Sequence, residues 1–558
     1  MEIGLGLGLE GRVSESPIDR SSIRRSSMRR ISVAVDTSFS VSRVIARVWP
    51  LSISWALFIA VTTTLDTIGP AAMTSIGGSR AMSTYTFTGY HVGGAIAASC
   101  SGSLFNLTGR KKGFIIGASV QCAAGIMAIC AMNFKSPGWL LCASILVGFG
   151  QGLGNFIRFS AAEIVPLGWG AHGITYVMIT GVVAAVMGPL SGTVLQKVLP
   201  TRFMGSFIAY LTFAALNVVL LMRTDLTPFK DTAEGKRALA LTNAELNAEA
   251  EAGAGAEAET GAGKKTGGGE ISTAITASDS APPTKPRPRA LLEVLKDNVF
   301  IISVSVATIA QVCMMLPMSN LEVGMTQTYF FTFKQASLAM IVHIFVTFIC
   351  GPAVGHLLSK YHPITVAGIG CLFNILGYVL MLLGHSFFSF IFGMILLGCS
   401  WNLGYSAGSV MLLCTCYDDE DQLQKQVQAS NDTLLLGITA VMTIFAGILE
   451  EKKDGWIAVL YLGGAIVVLQ AVIIAAVWQY KDQITPRFRD EDVNDVKPCG
   501  EDIVRRQSLT SVALGGANAR ASHADRVRRS VLDTDRVDTG KVSGGSDSVV
   551  GNPIRGAT

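Results

Sequence analysis

Charge is what this chain is short of. Of its 558 residues only 15% are charged and 50% are hydrophobic, whereas a soluble domain carries about 25% charged residues. That deficit excludes a large water-soluble globule and points to a lipid bilayer as the solvent for most of the chain. The net charge of +4 is small for this length. Nowhere do basic residues interleave with aromatic platforms, so no nucleic-acid partner is expected. Ten of the eleven cysteines, from Cys100 to Cys416, lie within or at the ends of apolar segments, and none forms a paired metal-ligand array. Inert thiols and no metal are the expectation. No nucleophile–base pair, metal cluster or phosphate loop is visible, so neither an enzyme nor a cofactor is expected. A cleavable leader is not expected either, because the first strongly apolar run begins near Leu51, beyond the ~15–30 residues such a leader occupies. Residues 11–47 are rich in Arg and Ser, but Glu15 and Asp19 favour a cytosolic tail over an organellar transit peptide.

What is abundant is long apolar sequence. Runs of about 20 residues, enough to cross a hydrocarbon core, centre in 48–71, 83–105, 113–133, 137–160, 171–197 and 203–223, then in 297–320, 334–359, 363–384, 386–412, 428–449 and 455–480. Backbone groups cannot stay unpaired in lipid, so each run should be helical. Between the sixth and seventh runs lies 224–296, with the Ala/Glu/Gly low-complexity stretch 247–258. It cannot bury enough apolar surface to offset its ordering entropy, and disorder is expected. The layout is therefore a basic tail (1–47), a six-helix bundle (48–223), a linker (224–296), a second six-helix bundle (297–480) and a second tail (481–558).

Twelve crossings return both termini to one side. Arg24, Arg25, Arg29, Arg30, Arg43 and Arg47, the turn Arg110-Lys111-Lys112, and Arg505, Arg506, Arg528 and Arg529 share that side, which the excess of Lys and Arg makes cytoplasmic. The glycosylation-like triplets at Asn106 and Asn431 fall on this face and should be unmodified. Basic pairs precede Ser27, Ser32, Ser508 and Ser530. Kinase-controlled release from anionic lipid is one reading of them, and solvated tail the other.

Polar residues inside the runs carry the functional expectations. Asp66 lies in the first run, where a carboxylate costs roughly 2.5–3.5 kcal/mol unless it faces water or a partner. It is read as a proton- or cation-coupling group or a substrate contact, or else as a structural pair near the membrane surface. Pro70 beyond it can bend the helix. His343 could relay a proton or be a neutral core histidine. Trp401 and Asn402 could face a cavity or simply pack. Gln151 lies within, and Asn155 just after, the run Gly148–Gly154, whose small residues favour close helix packing. Arg158 has Glu163 as its expected partner, and Asn431 or Asp432 could cap the eleventh helix.

The spacing in 101–113 resembles the loop between helices 2 and 3 of the major facilitator superfamily, with Gly102, Leu104, Gly109, Arg110, Lys111 and Lys112 in the family's places. A reduced copy follows the eighth run at Gly355, Leu357 and Lys360. Gln151-Gly152 resembles the family's helix 4 pattern, and Gly188-Pro189 with Gly192 resembles its helix 5 antiporter element and implies a helix bend. The finer pattern of His343, Trp401, Asn402 and 428–432 is similar to a bacterial small-solute or drug-antiporter branch.

The resemblance implies an all-α membrane protein of two pseudo-symmetric bundles that rock about a central site. It implies secondary transport of a small-molecule substrate, coupled to protons, with antiport favoured. A uniporter and a non-transporting receptor or scaffold are the alternatives. The implied cavity set is Asp66, His343, Trp401, Asn402, Gln151 and Asn155. The implied cytoplasmic gate is Gly102, Asn106, Gly109, Arg110, Lys111, Arg158, Glu163, Gly355, Lys360 and Asp432. Asn106 stands where the family carries Asp, which predicts a looser or differently timed inner gate. The lipid bilayer is the environment, a monomer the expected state, and the plasma membrane or an organelle membrane the location.

Overall fold

The computed structural model describes residues 41–166, 169–237, 240, 290–415 and 421–479. Among them there is no strand. Twelve helices of membrane-crossing length follow one another. In the first half these are α1 (Val41–Ser75), α2 (Tyr85–Thr108), α3 (Arg110–Phe134), α4 (Pro137–Gly154, resuming as Ile157–Glu163), α5 (Gly170–Ile179, resuming as Gly181–Leu195) and α6 (Met204–Arg223). In the second half they are α7 (Asn298–Val323), α8 (Phe333–Ile349, resuming as Gly351–Lys360), α9 (Pro363–Leu383), α10 (Phe387–Thr415), α11 (Asp421–Glu450) and α12 (Gly455–Trp478). Eleven spans meet both length and apolarity for crossing a membrane. The twelfth helix, α2, has 24 residues, but Ser, Thr and Gly dilute its hydropathy.

In lipid the hydrophobic effect does not press helices together, so small residues that admit close backbones decide the packing. The glycine run of α4 does this on two sides. A Cβ added at Gly148 would overlap the Tyr90 carbonyl of α2, one at Gly93 would overlap the Ile145 carbonyl of α4, and one at Gly150 would press on the Gly117 carbonyl of α3. Hydroxyls supply the polar counterpart. Thr63 and Thr64 of α1 donate to the Ala184 and Gly188 carbonyls of α5, at 3.2 and 3.1 Å. These contacts bracket the Gly188-Pro189 step, where the helical ladder loses an N–H donor.

Helical structure continues through the Gly-Pro step where a bend is expected. Residues 181–195 run as one helix through Gly188, Pro189 and Gly192, and the interruption of α5 falls at Thr180, whose hydroxyl bonds the Ser52 carbonyl at 2.8 Å. Gly188 and Gly192 instead let α5 approach α1 closely. Pro70 likewise sits inside the unbroken α1.

Two further boundaries differ from expectation. Helix α1 already includes residues 41–47, inside the expected tail, and Val44 and Val48 are fully buried there. Helix α11 begins at Asp421, so Asn431 and Asp432 lie within it and cap nothing. The flanks of the expected linker are also structured. Phe229 is buried beneath α1, and Val294 of the short helix Leu291–Leu295 packs with Phe300, Leu412 and Val427. Both flanks carry apolar anchors that the low-complexity centre lacks.

The halves meet along a seam. Thr88 of α2 and Thr443 of α11 share a hydrogen bond of 2.9 Å, Gly94 faces Leu436, and Gly447 lies against Ala81 and Thr84. On the other flank, Gly181 of α5 packs on Phe348 of α8.

Candidate functional site

A connected run of polar and aromatic side chains crosses this seam. Asp66 on α1 is half-buried and lies in electrostatic range of Tyr90 on α2. The Tyr90 ring meets the edge of His91, 5.1 Å between centroids. His91 is fully buried, with Nδ1 2.7 Å from the Phe87 carbonyl oxygen. A carbonyl only accepts, so Nδ1 carries the proton and Nε2 is left as an acceptor. Gln311 of α7 faces that Nε2 with its amide nitrogen at 3.4 Å, while its Oε1 accepts from the Trp401 indole N–H of α10 at 2.6 Å. The His91 and Trp401 N–H groups and one amide N–H of Gln311 each therefore have an acceptor when His91 is neutral.

Trp401 then stacks on Tyr405, with centroids 4.9 Å apart and planes 17° apart. The Tyr405 hydroxyl faces Arg158 of α4, and Arg158 in turn lies in charge range of Asp432 on α11. Arg158 also lies over the Phe159 ring at 4.9 Å. Helices α1, α2 and α4 of one half and α7, α10 and α11 of the other thus contribute to one column. It offers a carboxylate, a flat aromatic face, an amide and a cation within the membrane.

The structure sorts the sequence-derived candidates into separate places. Asp66, Trp401, Arg158 and Asp432 belong to the column. Gln151 and Asn155 brace the first half: Thr62 donates to Gln151 Oε1, and Gln151 Nε2 donates to Asn155 Oδ1, both at 2.9 Å. His343 and Asn402 bond elsewhere, as the packing alternative for each has it. His343 is buried with Nδ1 2.8 Å from the Met394 carbonyl, and Asn402 Nδ2 donates to the Thr347 carbonyl at 2.8 Å. Both therefore join α8 to α10 inside the second half. Tyr90, His91, Gln311 and Tyr405 were not picked out from sequence, although His91 and Gln311 are polar residues within long apolar helices.

The basic end is built differently. Gly109, at φ 78°, separates α2 from α3, a conformation glycine adopts without strain. Arg110, Lys111 and Lys112 then fall in the first turn of α3, where the helix dipole disfavours cations. Carboxylates offset this. Glu163 pairs with Arg110 and not with Arg158 as expected, because Arg158 is turned to the seam. Asp225 accepts from the Thr227 hydroxyl and backbone N–H, which hold its carboxyl below the usual range, with Lys111 and Arg47 adding to the effect. Arg47 reaches Glu234 at 3.9 Å and covers the Phe229 ring at 5.4 Å. Gly102 and Asn106 are exposed, Gly355 is buried in α8, and Lys360 is exposed at its end. Ser27, Ser32, Ser508 and Ser530 lie outside the described residues. Among the described residues no three His, Cys, Asp or Glu side chains gather as a metal site.

Comparison with known proteins places this geometry. The sequence profile of the Major Facilitator Superfamily matches residues 46–416. The riboflavin transporter RfnT of Brucella anthropi is 24% identical over 368 residues, covering 65% of this chain and 78% of that protein. A POT family transporter in complex with a thioalcohol-conjugated peptide superposes with a TM-score of 0.56 at 13% identity, over 78% of this chain and 96% of its own. The xylose transporter XylE from E. coli, in a partially occluded inward-open conformation, gives 0.53 at 12% identity over 78% and 99%. At such identities the solved structures speak for the fold alone.

Proposed function

We propose that this chain, which belongs to the major facilitator superfamily, moves a small organic solute by alternating access, driven by protons and with the seam column as its central site. It is a multi-pass integral membrane protein of a family that transports small solutes. The observation that carries the finer reading is the His91–Gln311–Trp401 link. It joins the halves through side chains, so relative motion of the halves must break or remake it. Asp66, beside Tyr90 at one end of the column, is the coupling group, since an intramembrane carboxylate needs a wet or paired setting. The Trp401–Tyr405 pair supplies a stacking face for a ring-bearing solute, and the Gln311 amide lies beside it.

Riboflavin, named for the relative from Brucella anthropi, is the first solute to test. The excess of Arg and Lys supports a cytoplasmic position for the end bearing Arg47 and Arg110. In that orientation the Arg110–Glu163 pair borders the cytoplasmic gate. Antiport is the favoured direction.

The test is uptake and efflux in vesicles reconstituted with the full chain under an imposed pH gradient, wild type against Asp66→Asn. Coupled transport should be lost in the variant. Full uphill transport by Asp66→Asn would refute the coupling role.

A further inference from the structure

At the end of the seam opposite the basic turn lies a second feature that the central column does not use. A cavity of about 310 Å³ is lined by Thr74 and Ser75 of α1, Arg202 before α6, Glu322 and Thr326 of α7 and its final turn, and Phe333 of α8. Its volume is at the lower end of the ~300–1,000 Å³ of small-molecule sites. Both halves contribute, and each brings one charge.

The two charges are fixed but not joined. Glu322 is deeply enclosed; Thr326 donates to its Oε1 at 3.3 Å, and its Oε2 is shielded from solvent without a hydrogen-bond partner. An enclosed carboxylate oxygen with no donor is costly unless something supplies one. Arg202 acts on Glu322 electrostatically, yet the pair is not in ion-pair contact. Its guanidinium is held over the Phe203 and Phe333 rings, at 4.5 and 5.5 Å. Phe203 adopts φ 65°, a conformation unfavourable for a bulky residue, and is held there by its N–H bond to the Gln196 carbonyl at 2.7 Å. Strained backbone of this kind persists where its surroundings over-determine it, and such positions cluster at ligand clamps and switch regions.

We infer that this outer seam cavity is a binding site for a small zwitterion, whose ammonium group meets Glu322 and whose carboxylate meets Arg202. A singly charged molecule satisfies one wall and leaves the other charge without an ion-pair partner, Arg202 keeping only its 3.4 Å bond to Gln196 Oε1. A zwitterion long enough to span the gap satisfies both, with the hydroxyls of Thr74, Ser75 and Thr326 around its middle. Because its partners belong to different halves, the occupant ties the halves together at this end. In the transport reading, an occupied site slows exchange between the two access states. Binding itself does not depend on that reading.

The experiment is ligand titration of the full chain in nanodiscs, followed by thermal shift and calorimetry. The probes are 4-aminobutyrate and 5-aminovalerate, with pentanoate and pentylamine as singly charged controls. Saturable binding of at least one zwitterion is expected, at least about tenfold tighter than either control. Arg202→Gln and Glu322→Gln should each abolish that preference, and Phe333→Leu, a milder change, should weaken zwitterion binding. Asp66→Asn should leave it unchanged, which separates this site from the central column. Equal binding of controls and zwitterions, no saturable binding of any probe, or loss in Asp66→Asn but not in Arg202→Gln would each overturn the inference. Failure here, alongside coupled transport lost in Asp66→Asn, removes the outer site and leaves the carrier reading standing.

Discussion

The two ends of the seam handle charge in opposite ways. At the basic end the ion pairs close within the first half and its continuation: Arg110 with Glu163, Arg47 with Glu234. At the far end the charges face each other across the halves without closing. Arg202 opposes Glu322, and Arg80 in the α1–α2 connection opposes Glu450, a buried carboxylate on α11 whose Oε2 has no partner. Pairs internal to one half brace that half and survive any movement of the other. Opposed charges on different halves respond to that movement. Between the ends, the column from Asp66 to Asp432 mixes the two styles, with satisfied hydrogen bonds at His91–Gln311–Trp401 and looser charge contacts around Arg158.

This contrast can be broken in several places, in descending order of effect. The largest belongs to the column. Asp66→Asn should reduce proton-driven transport about a hundredfold or more, the scale of losing a positioned proton-transfer group, with little change in unfolding temperature. Proteoliposome flux and thermal unfolding measured on one preparation check both halves of that statement. Next is Gln311→Leu, which leaves the Trp401 N–H and His91 Nε2 without partners. Stranding such buried groups costs about 1–3 kcal/mol, so both stability and transport should fall; denaturant titration of the purified chain reads the first.

At the basic end the effects shrink. Arg110→Gln removes a partly exposed pair and should cost no more than about 1 kcal/mol, visible as a small drop in unfolding temperature that high salt mimics in the wild type. The smallest effect is at Asp225. Its folded pKa lies below its ordinary value of 3.8 because Thr227 bonds its charged form. Its contribution to stability is therefore fully present above the ordinary value and is lost as pH falls through the lower folded value. Comparing Asp225→Asn with wild type from about pH 5 down to about pH 2, which brackets the ordinary value of 3.8 and the region below it, should show a gap at the upper end that closes on acidification. The carboxylate is exposed, so solvent screening keeps the gap slight.

The sequence made the twelve-helix architecture readable because apolar runs of spanning length are unambiguous in a chain so poor in charge. It misjudged helix ends where amphipathic turns leave the membrane, as at Val41–Val48 and Asp421–Gln428. Asp66 was legible as a costly group inside an apolar run, Arg158 and Asp432 as charges near the ends of runs, and Trp401 as a ring that could face a cavity or pack. Their partners were not, because hydropathy does not say which helix faces converge. Glu163 was matched to Arg158 through nearness in sequence, whereas folding brings the distant Arg110 to it. His343 was read either as a relay or as a neutral core histidine, and its bond within the α8–α10 contact favours the second, a choice only three-dimensional packing supplies.

The most direct measurement asks whether the middle of the column is reachable from both faces. Tyr405→Cys in a cysteine-free version of the chain, reconstituted in sealed vesicles, is exposed to a membrane-impermeant thiol reagent from one side and then from the other. Alternating access predicts labelling from each side, with the balance shifted by the transported solute. Labelling from neither side, or from one side only whatever solute is present, contradicts it.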